Sequence, residues 1–303
     1  MSSFSNDLVS IVIATYNRSN VLKYAIQSVL NQSYTDWELI IVGDCCTDNT
    51  REVVECFKNT KIVYVNLKEN VGEQSGPNNY GVSIANGNYI AFLNHDDLWL
   101  PNHLEALMKQ IKAFNADLVY SLYYPIPVTE KVNLISLRWN NSHDLIYGSP
   151  ASTWLFKKNL HTLVGPWRFY KEIFDIPSQD WLRRVSKSYK IIVSNELTVI
   201  AIQSGARVNS YKNSVDVEHK YYFDAIIENP NELVKGILFN QIVELKARDR
   251  SLKYHIFAIL RNIVIKILIT FGQRPGAFLA MLKSTKKGGY LDELRKTRGL
   301  PKL

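Results

Sequence analysis

The stretch from Tyr89 to Trp99 constrains the fold of this 303-residue chain more than any other. It begins as an apolar, strand-like run and ends abruptly at two adjacent carboxylates, Asp96 and Asp97. A buried strand that ends in this way delivers its acids to the rim of an open α/β sheet, where such sheets bind ligands. Two adjacent carboxylates repel each other unless a cation or hydrogen-bond donors lie between them. The stretch therefore predicts either a divalent metal that holds a diphosphate or a solvated turn that caps the next helix.

The hydrophobic pattern of the first 125 residues predicts strands that alternate with helices. Apolar strand-like runs are found at residues 9–14, 37–42, 62–67, 89–93 and 117–123. Amphipathic helical patterns separate these runs, and such alternation is typical of βαβ units and a mainly parallel sheet. The chain is therefore expected to begin with an α/β half of the type that binds nucleotides.

Beyond residue 125 the alternation is lost and large aromatic residues appear at irregular spacing. Four of them are Trp139, Trp154, Trp167 and Trp181. Aromatic rings of this kind suit either a hydrophobic core or a surface on which sugars stack. A turn-forming cluster at residues 228–231 predicts the boundary of a C-terminal extension.

The positive charge of the chain is concentrated in its C-terminal part. Residues 246–303 contain 14 Lys and Arg against 3 Asp and Glu, whereas the rest of the chain is slightly acidic. An apolar run at 256–271 lies within this part, and it is too short and too charged to span a membrane. The pattern favours a helix on an anionic membrane surface, with packing on the catalytic domain or on a second copy as the alternative. No nucleic-acid recognition fold accompanies the charge, so nucleic acid is not an expected partner.

The cysteines and the N-terminus predict a location inside the cell. Cys45, Cys46 and Cys56 are too few to form a disulfide framework, and they fit a reducing compartment. The first seven residues lack the basic and apolar regions of a signal peptide. We therefore expect a cytoplasmic protein, held peripherally at the inner face of the membrane by its basic extension.

Five motifs, in order, make the chain resemble the family 2 glycosyltransferases of the GT-A fold. They lie at residues 9–18, 28–34, 37–50, 78–87 and 90–101. The resemblance is close over residues 8–120 and thins through about residue 210. It implies a GT-A catalytic domain over residues 1–228, with a nucleotide-sugar half at 1–125 and an acceptor half at 126–228. Residues 229–303 would then form the basic helical extension.

The resemblance also implies the residues that bind the donor. Those that follow the first strand would line the nucleoside pocket, and Asp44 would read the base, since a carboxylate accepts a hydrogen bond from the imino N–H of uracil. Asp97 matches the metal ligand of the family, and Asp96 would lie against the ribose or the metal, which is Mn²⁺ or Mg²⁺. The donor-binding set is Ala14, Thr15, Tyr16, Arg18, Asp44, Asn78 and Asp96.

On the acceptor side, the resemblance places the general base at Asp180. One base without an enzyme nucleophile implies a single displacement that inverts the anomeric centre. Trp181 and Arg207 are weaker matches for contacts to the acceptor or the diphosphate. Two departures concern the donor side: Gly43 replaces a second acid that the family often has, and Asn78 replaces a frequent Arg.

The predicted function is therefore metal-dependent, inverting transfer of a sugar from a UDP-sugar to a saccharide or lipid-linked acceptor in cell-surface polysaccharide assembly. One alternative is transfer to a polyprenyl phosphate, which is already an anion and needs less from a base. The other is a non-catalytic subunit that binds sugar nucleotides or lipids.

Overall fold

The computed structural model describes residues 6–126, 149–202, 207–212, 215–249 and 286–301, together with separate helical positions between 256 and 270. Trp139 lies outside the described residues. The strands are β1 (Val9–Thr15), β2 (Trp37–Gly43), β3 (Ile62–Asn66), β4 (Tyr89–Phe92), β5 (Asp97–Trp99), β6 (Leu118–Ile126), β7 (Trp154–Lys157) and β8 (Ile191–Ile202). The helices are α1 (Ser19–Leu30), α2 (Thr50–Glu55), α3 (Ser75–Ile84), α4 (His103–Ala113), α5 (Asn159–Val164), α6 (Pro177–Val185), α7 (Val217–Glu228), α8 (Pro230–Asp249) and α9 (Gly289–Thr297).

The eight described strands form one sheet in the order β3-β2-β1-β4-β7-β6-β8-β5. Strands β1 to β4 pair in parallel, which confirms the predicted βαβ units. The predicted strand at 117–123 is present as β6, but β7 separates it from β4 with antiparallel pairing on both sides. Strands β5, β7 and β8 were not predicted. Strands β5 and β7 span only three and four residues and carry no clear alternation.

The central strand β1 is buried along its whole length because helices cover both faces of the sheet. Successive side chains of a strand point to opposite faces. Ile11 and Ile13 therefore pack with the apolar stripes of α1 and α4, whereas Val12 packs with α3 and α6. This burial explains why β1 has an almost uninterrupted apolar sequence.

The C-terminal part of the chain returns to the α/β body. Helix α7 ends at Glu228 and α8 begins at Pro230, where the turn-forming cluster was predicted. Before α9, the Gly288 N–H donates to the carbonyl of Ile173 at 2.9 Å, and Leu291 of α9 is buried. Within residues 229–303, helix α9 therefore packs on the catalytic body. Within the described ranges, none of the helices combines the length and the apolar character needed to cross a membrane.

Candidate active site

A cavity of about 530 Å³ lies where β1, β2 and β4 end. Carboxyl ends of parallel strands are the usual ligand site of such sheets. The lining includes loops after these strands, the start of α6 and the whole length of α9. The residues are Ala14, Thr15, Tyr16, Asp44, Gly72, Glu73, Gln74, Pro77, Asn94, His95, Asp96, Asp97, Tyr123, Pro150, Trp167, Ile176, Pro177, Ser178, Ala201, Ile202, Tyr211, Tyr290, Leu291, Leu294, Arg295, Arg298 and Leu300.

The end of β1 supplies the predicted nucleoside wall. Ala14, Thr15 and Tyr16 all line the cavity. The hydroxyl of Thr15 is buried and lacks a hydrogen-bond partner among the described residues. A buried polar atom without a partner is costly, so this wall suits a ligand that brings polar groups.

Asp44 follows β2 and is almost fully buried. Its carboxylate accepts the N–H of Val71 at 2.7 Å and the N–H of Gly72 at 2.8 Å. Burial raises the pKa of Asp44, while these two donors and the guanidinium of Arg295 act in the opposite direction. Each carboxylate oxygen has a second lone pair, so Asp44 holds the 71–72 loop and still retains acceptor capacity.

The structure explains why Gly43 precedes Asp44 in place of a second acid. A Cβ built on Gly43 would lie 2.5 Å from Asn66 Oδ1 and 2.7 Å from Tyr64 Oη. No side chain fits at such distances unless the side chains of Asn66 and Tyr64 move. The end of β2 therefore carries one acid, Asp44, with no second acid directly before it in the sequence.

The two adjacent acids after β4 have different surroundings. Asp97 is buried, and its oxygens accept hydrogen bonds from Ser152 Oγ at 2.5 Å, Asn94 Nδ2 at 2.8 Å and the Ile202 N–H at 3.1 Å. All three partners are donors, which suits an ionised carboxylate. Burial and the charge of Asp96 nevertheless act strongly to raise the pKa of Asp97. Asp96, by contrast, is only half-buried on the cavity wall.

The different surroundings of the two acids bear on which of them would hold a metal. The carboxylate of Asp97 is already used to join β5, the Ser152 turn and the end of β8. Asp96 is the acid better placed to face a ligand. Asp97 also lines the cavity, and its hydrogen bonds fix the backbone that carries Asp96.

His95 completes this wall as a neutral imidazole. Enclosure lowers the pKa of His95 to about 4. Its Nδ1 lies 3.3 Å from the carbonyl of Ala14, and because a carbonyl only accepts, Nδ1 is assigned the proton. The ring therefore offers Nε2 as an acceptor rather than a positive charge.

The residues fit a divalent cation that is shared with a substrate phosphate. No group of three or more His, Cys, Asp or Glu side chains suited to a metal occurs in the part of the chain that the structure describes. Mg²⁺ is commonly held by only one or two carboxylates, with substrate phosphates and water as the other ligands. Asp96 supplies one such carboxylate, so the site fits an ion that arrives with its diphosphate.

Three predicted donor or diphosphate residues lie away from the cavity lining. Arg18 is buried, donates to the carbonyl of Ser210 at 2.9 Å and lies over the ring of Tyr211. Asn78 is buried within α3. Arg207 is ion-paired with Glu218. Arg18 and Arg207 are therefore engaged by Ser210, Tyr211 and Glu218 in this structure.

The predicted acceptor residues are also placed differently from expectation. Asp180 is not among the lining residues, although the first turn of its helix is. Its carboxylate lies 3.0 Å from Arg184 Nε and 3.8 Å from Arg168 Nη1. Trp181 is fully buried, donates to the carbonyl of Gly165 and packs near Trp154, so it belongs to the core and not to an acceptor surface.

Two parts of the cavity were missed by the sequence analysis. Glu73 lies in the loop before α3, and burial raises its pKa to about 7. Helix α9 contributes Leu291, Leu294, Arg295 and Arg298. Their spacing of three, one and three residues places them on one helical face. This spacing is the sequence signal from which the helix face could have been predicted.

The fold and cavity define an α/β protein with a cavity, lined in part by polar side chains, at the carboxyl edge of its sheet. Residues 10–185 match the family described as glycosyl transferase family 2, and the chain belongs to that family. It is 35% identical over 116 residues to the Escherichia coli UDP-Glc:alpha-D-GlcNAc-diphosphoundecaprenol beta-1,3-glucosyltransferase WfgD, covering 38% of this chain and 46% of WfgD. The chain spans about half the length of the curated relatives it matches.

Two solved structures show the same fold at low sequence identity. One is S. aureus TarS 1-349 in complex with UDP-GlcNAc, with a TM-score of 0.56 at 20% identity, covering 64% of this chain and 58% of TarS. The other is the Pyrobaculum calidifontis mannosyltransferase PcManGT with GDP-Man and Mn²⁺, with a TM-score of 0.50 at 15% identity, covering 64% and 56%. Together with the family match, they confirm the predicted GT-A type of fold.

Proposed function

We propose that this protein transfers a sugar from a UDP-linked donor to a saccharide or lipid-linked saccharide in bacterial cell-surface polysaccharide assembly. The observation that carries the proposal is the cavity at the ends of β1, β2 and β4, which brings together Thr15, Asp44 and Asp96 inside the region that matches the family. The activity for which WfgD is named and the UDP-GlcNAc bound by TarS support the donor and the setting.

Within this proposal Asp44 accepts the imino N–H of the base and the β1 end lines the nucleoside. Asp96 holds a divalent cation together with the donor diphosphate, and the Mn²⁺ of PcManGT supports this choice of cofactor. The ion would neutralise charge that develops on the leaving diphosphate. Asp97 and its three donors keep Asp96 in place, because the backbone between β4 and β5 is tied to Ser152 and Ile202.

The transfer itself is proposed as a single displacement that inverts the anomeric centre. A base must take the proton of an acceptor hydroxyl as its oxygen attacks. Asp180 is the proposed base, since the first turn of α6 lines the cavity. To act, its carboxylate must turn away from Arg184, with which it is paired at 3.0 Å.

The position of Asp180 favours a second candidate function, transfer to a polyprenyl phosphate. Such an acceptor is already an anion and needs no strong base. An acid that is held by Arg184 and Arg168 outside the cavity lining is compatible with that reaction. Asp180→Asn distinguishes the two functions, because loss of turnover supports a hydroxyl acceptor and retained turnover supports the phosphate.

The membrane surface is the proposed location. Six described apolar side chains between residues 256 and 267 are about half exposed: Ile256, Ile259, Leu260, Ile263, Val264 and Ile267. Apolar residues flanked by Lys and Arg suit the interface of an anionic bilayer. The triple change Ile259→Asp, Ile263→Asp and Ile267→Asp should weaken sedimentation with anionic vesicles, whereas Leu163→Asp, at an exposed site on α5, should not. Equal sedimentation of both variants would remove the membrane proposal.

Turnover is tested by following UDP release from a panel of UDP-sugars, with lipid-diphosphate-linked sugars as acceptors and with Mn²⁺ or Mg²⁺. We expect release that depends on one donor, on the acceptor and on the ion. Inversion is then read from the anomeric configuration of the product by NMR. Tight UDP binding without transfer or hydrolysis under any combination would instead indicate a non-catalytic binding subunit.

A further inference from the structure

One wall of the cavity is built by the C-terminal helix α9 and the residues that follow it. Tyr290, Leu291, Leu294, Arg295, Arg298 and Leu300 all line the cavity. In the sequence, they lie more than 190 residues after the motifs at the ends of β1, β2 and β4. The family match ends at residue 185, so this wall belongs to a part of the chain that the match does not cover.

The wall is attached at both of its ends. At its start, Tyr170 Oη donates to Asp292 at 3.1 Å. At its end, the N–H of Asn209 donates to the carbonyl of Thr297 at 2.9 Å, and the N–H of Tyr211 donates to that of Arg298 at 3.2 Å. Helix α9 is therefore positioned by two parts of the acceptor half, Tyr170 and residues 207–212.

The charges of the lining residues are divided between the walls. The four acids among them are Asp44, Glu73, Asp96 and Asp97. Among the lining residues of the described ranges, the only Lys or Arg side chains are Arg295 and Arg298. A donor diphosphate adds negative charge to a cavity that is already acidic, so cationic partners are required. Among the described lining residues, both cationic side chains come from the α9 wall.

The two arginines differ in what they contact. Arg295 is buried, and its two terminal nitrogens donate to the carbonyls of Gly72 and Pro301, while Nε has no acceptor among the residues described. It thereby supports the same 71–72 loop that binds Asp44. Arg298 lies one helical turn further along, and its charge acts on His95 and Tyr211 beside Asp96.

We propose that the α9 wall is part of the donor site and that Arg298 binds the diphosphate of the nucleotide-sugar, while Arg295 positions the loop at the base end. This inference rests on the proposed function and adds to it a C-terminal source of phosphate recognition. A guanidinium suits the role because it presents paired donors to phosphate oxygens.

The experiment compares UDP with uridine by titration calorimetry on the full chain. Arg298→Ala should weaken UDP binding by about tenfold or more and leave uridine binding unchanged, since uridine lacks the phosphates. Arg298→Lys should recover part of the loss, because it restores the charge without the paired donors. Lys296→Ala is the matched control, since its side chain lies on the same helix and is 81% exposed.

A second measurement needs no variant. Hydrogen exchange of the wild-type protein should slow at residues 289–298 when UDP is added. Arg298→Ala binding UDP as tightly as wild type, or more tightly, would overturn the inference, and so would an unchanged exchange rate in α9. A wild-type protein that binds neither UDP nor any nucleotide-sugar would instead overturn the proposed function and, with it, this inference.

Discussion

The two walls of the cavity differ in origin and in charge. The wall formed by the ends of β1, β2 and β4 carries acids, of which Asp44 and Asp97 are also held by donors of the protein. The α9 wall carries apolar side chains and two arginines. The first wall lies within the family match and the second lies outside it. The family match therefore covers one side of the site, and the other side is formed by residues that lie beyond it in the sequence.

The largest effect is expected at Asp96, in the acidic wall. Asp96→Asn should lower turnover by roughly 100-fold or more while the fold is kept, because a neutral amide holds a divalent cation poorly and leaves the diphosphate charge uncompensated. UDP release at saturating Mn²⁺ measures this. Asp224→Asn, at an exposed acid on α7, is the control and should leave turnover unchanged. Wild-type turnover by Asp96→Asn would show that the acidic wall does not hold the ion.

Substitution of Asp97 is expected to lower the stability of the fold more than it lowers turnover. Asp97→Asn places an amide where three donors converge, so at least one buried hydrogen bond is lost. We expect a loss of about 3 kcal/mol in the free energy of unfolding, measured by urea titration. Unchanged stability together with lost metal-dependent turnover would restore Asp97 as the metal ligand and would reverse the assignment of the two acids.

A smaller effect is expected from Glu73, which lies between the two walls. Burial raises the pKa of Glu73 from 4.5 to about 7. The folded state then binds the proton more tightly than the unfolded state, so this residue's stabilising contribution is complete below pH 4.5 and is lost as the pH rises towards about 7. Glu73→Gln should therefore flatten the fall in unfolding free energy between pH 4.5 and 7. An equal slope in both proteins would mean that Glu73 does not titrate in this range.

Much of the acidic wall could be predicted from the sequence because local signals specify it. An apolar run that stops at charged residues marks a strand end, and parallel strands bring their carboxyl ends to one edge. This pattern placed Asp96 at the edge of the sheet, and the resemblance to the family placed Thr15 and Asp44 there. The different surroundings of Asp96 and Asp97 could not be predicted, because they depend on Ser152 and Ile202, which are distant in the sequence.

The remaining differences arise from tertiary contacts that no local pattern encodes. Arg18 was expected to bind the donor, and Arg207 to contact the acceptor or the diphosphate. In the structure Arg18 donates to the carbonyl of Ser210, and Arg207 is ion-paired with Glu218. Trp181 was expected at the acceptor, yet β7 and Gly165 enclose it. The basic extension was treated as one unit, expected on a membrane surface, with packing on the catalytic domain or on a second copy as the alternative. In the structure, α9 packs on the catalytic body, whereas the described apolar side chains of 256–267 remain exposed.

The central claim is that this cavity binds a nucleoside diphosphate together with a divalent cation. The most direct measurement is the thermal midpoint of the full chain with UDP, with and without Mn²⁺, beside GDP as the alternative nucleotide. At UDP concentrations of about 100 times Kd, the folded state should gain about 3 kcal/mol. We predict a rise in Tm that is larger with Mn²⁺ and reduced in Asp96→Asn. The absence of any shift with UDP, GDP or their sugar derivatives would contradict the assignment of this cavity as a donor site.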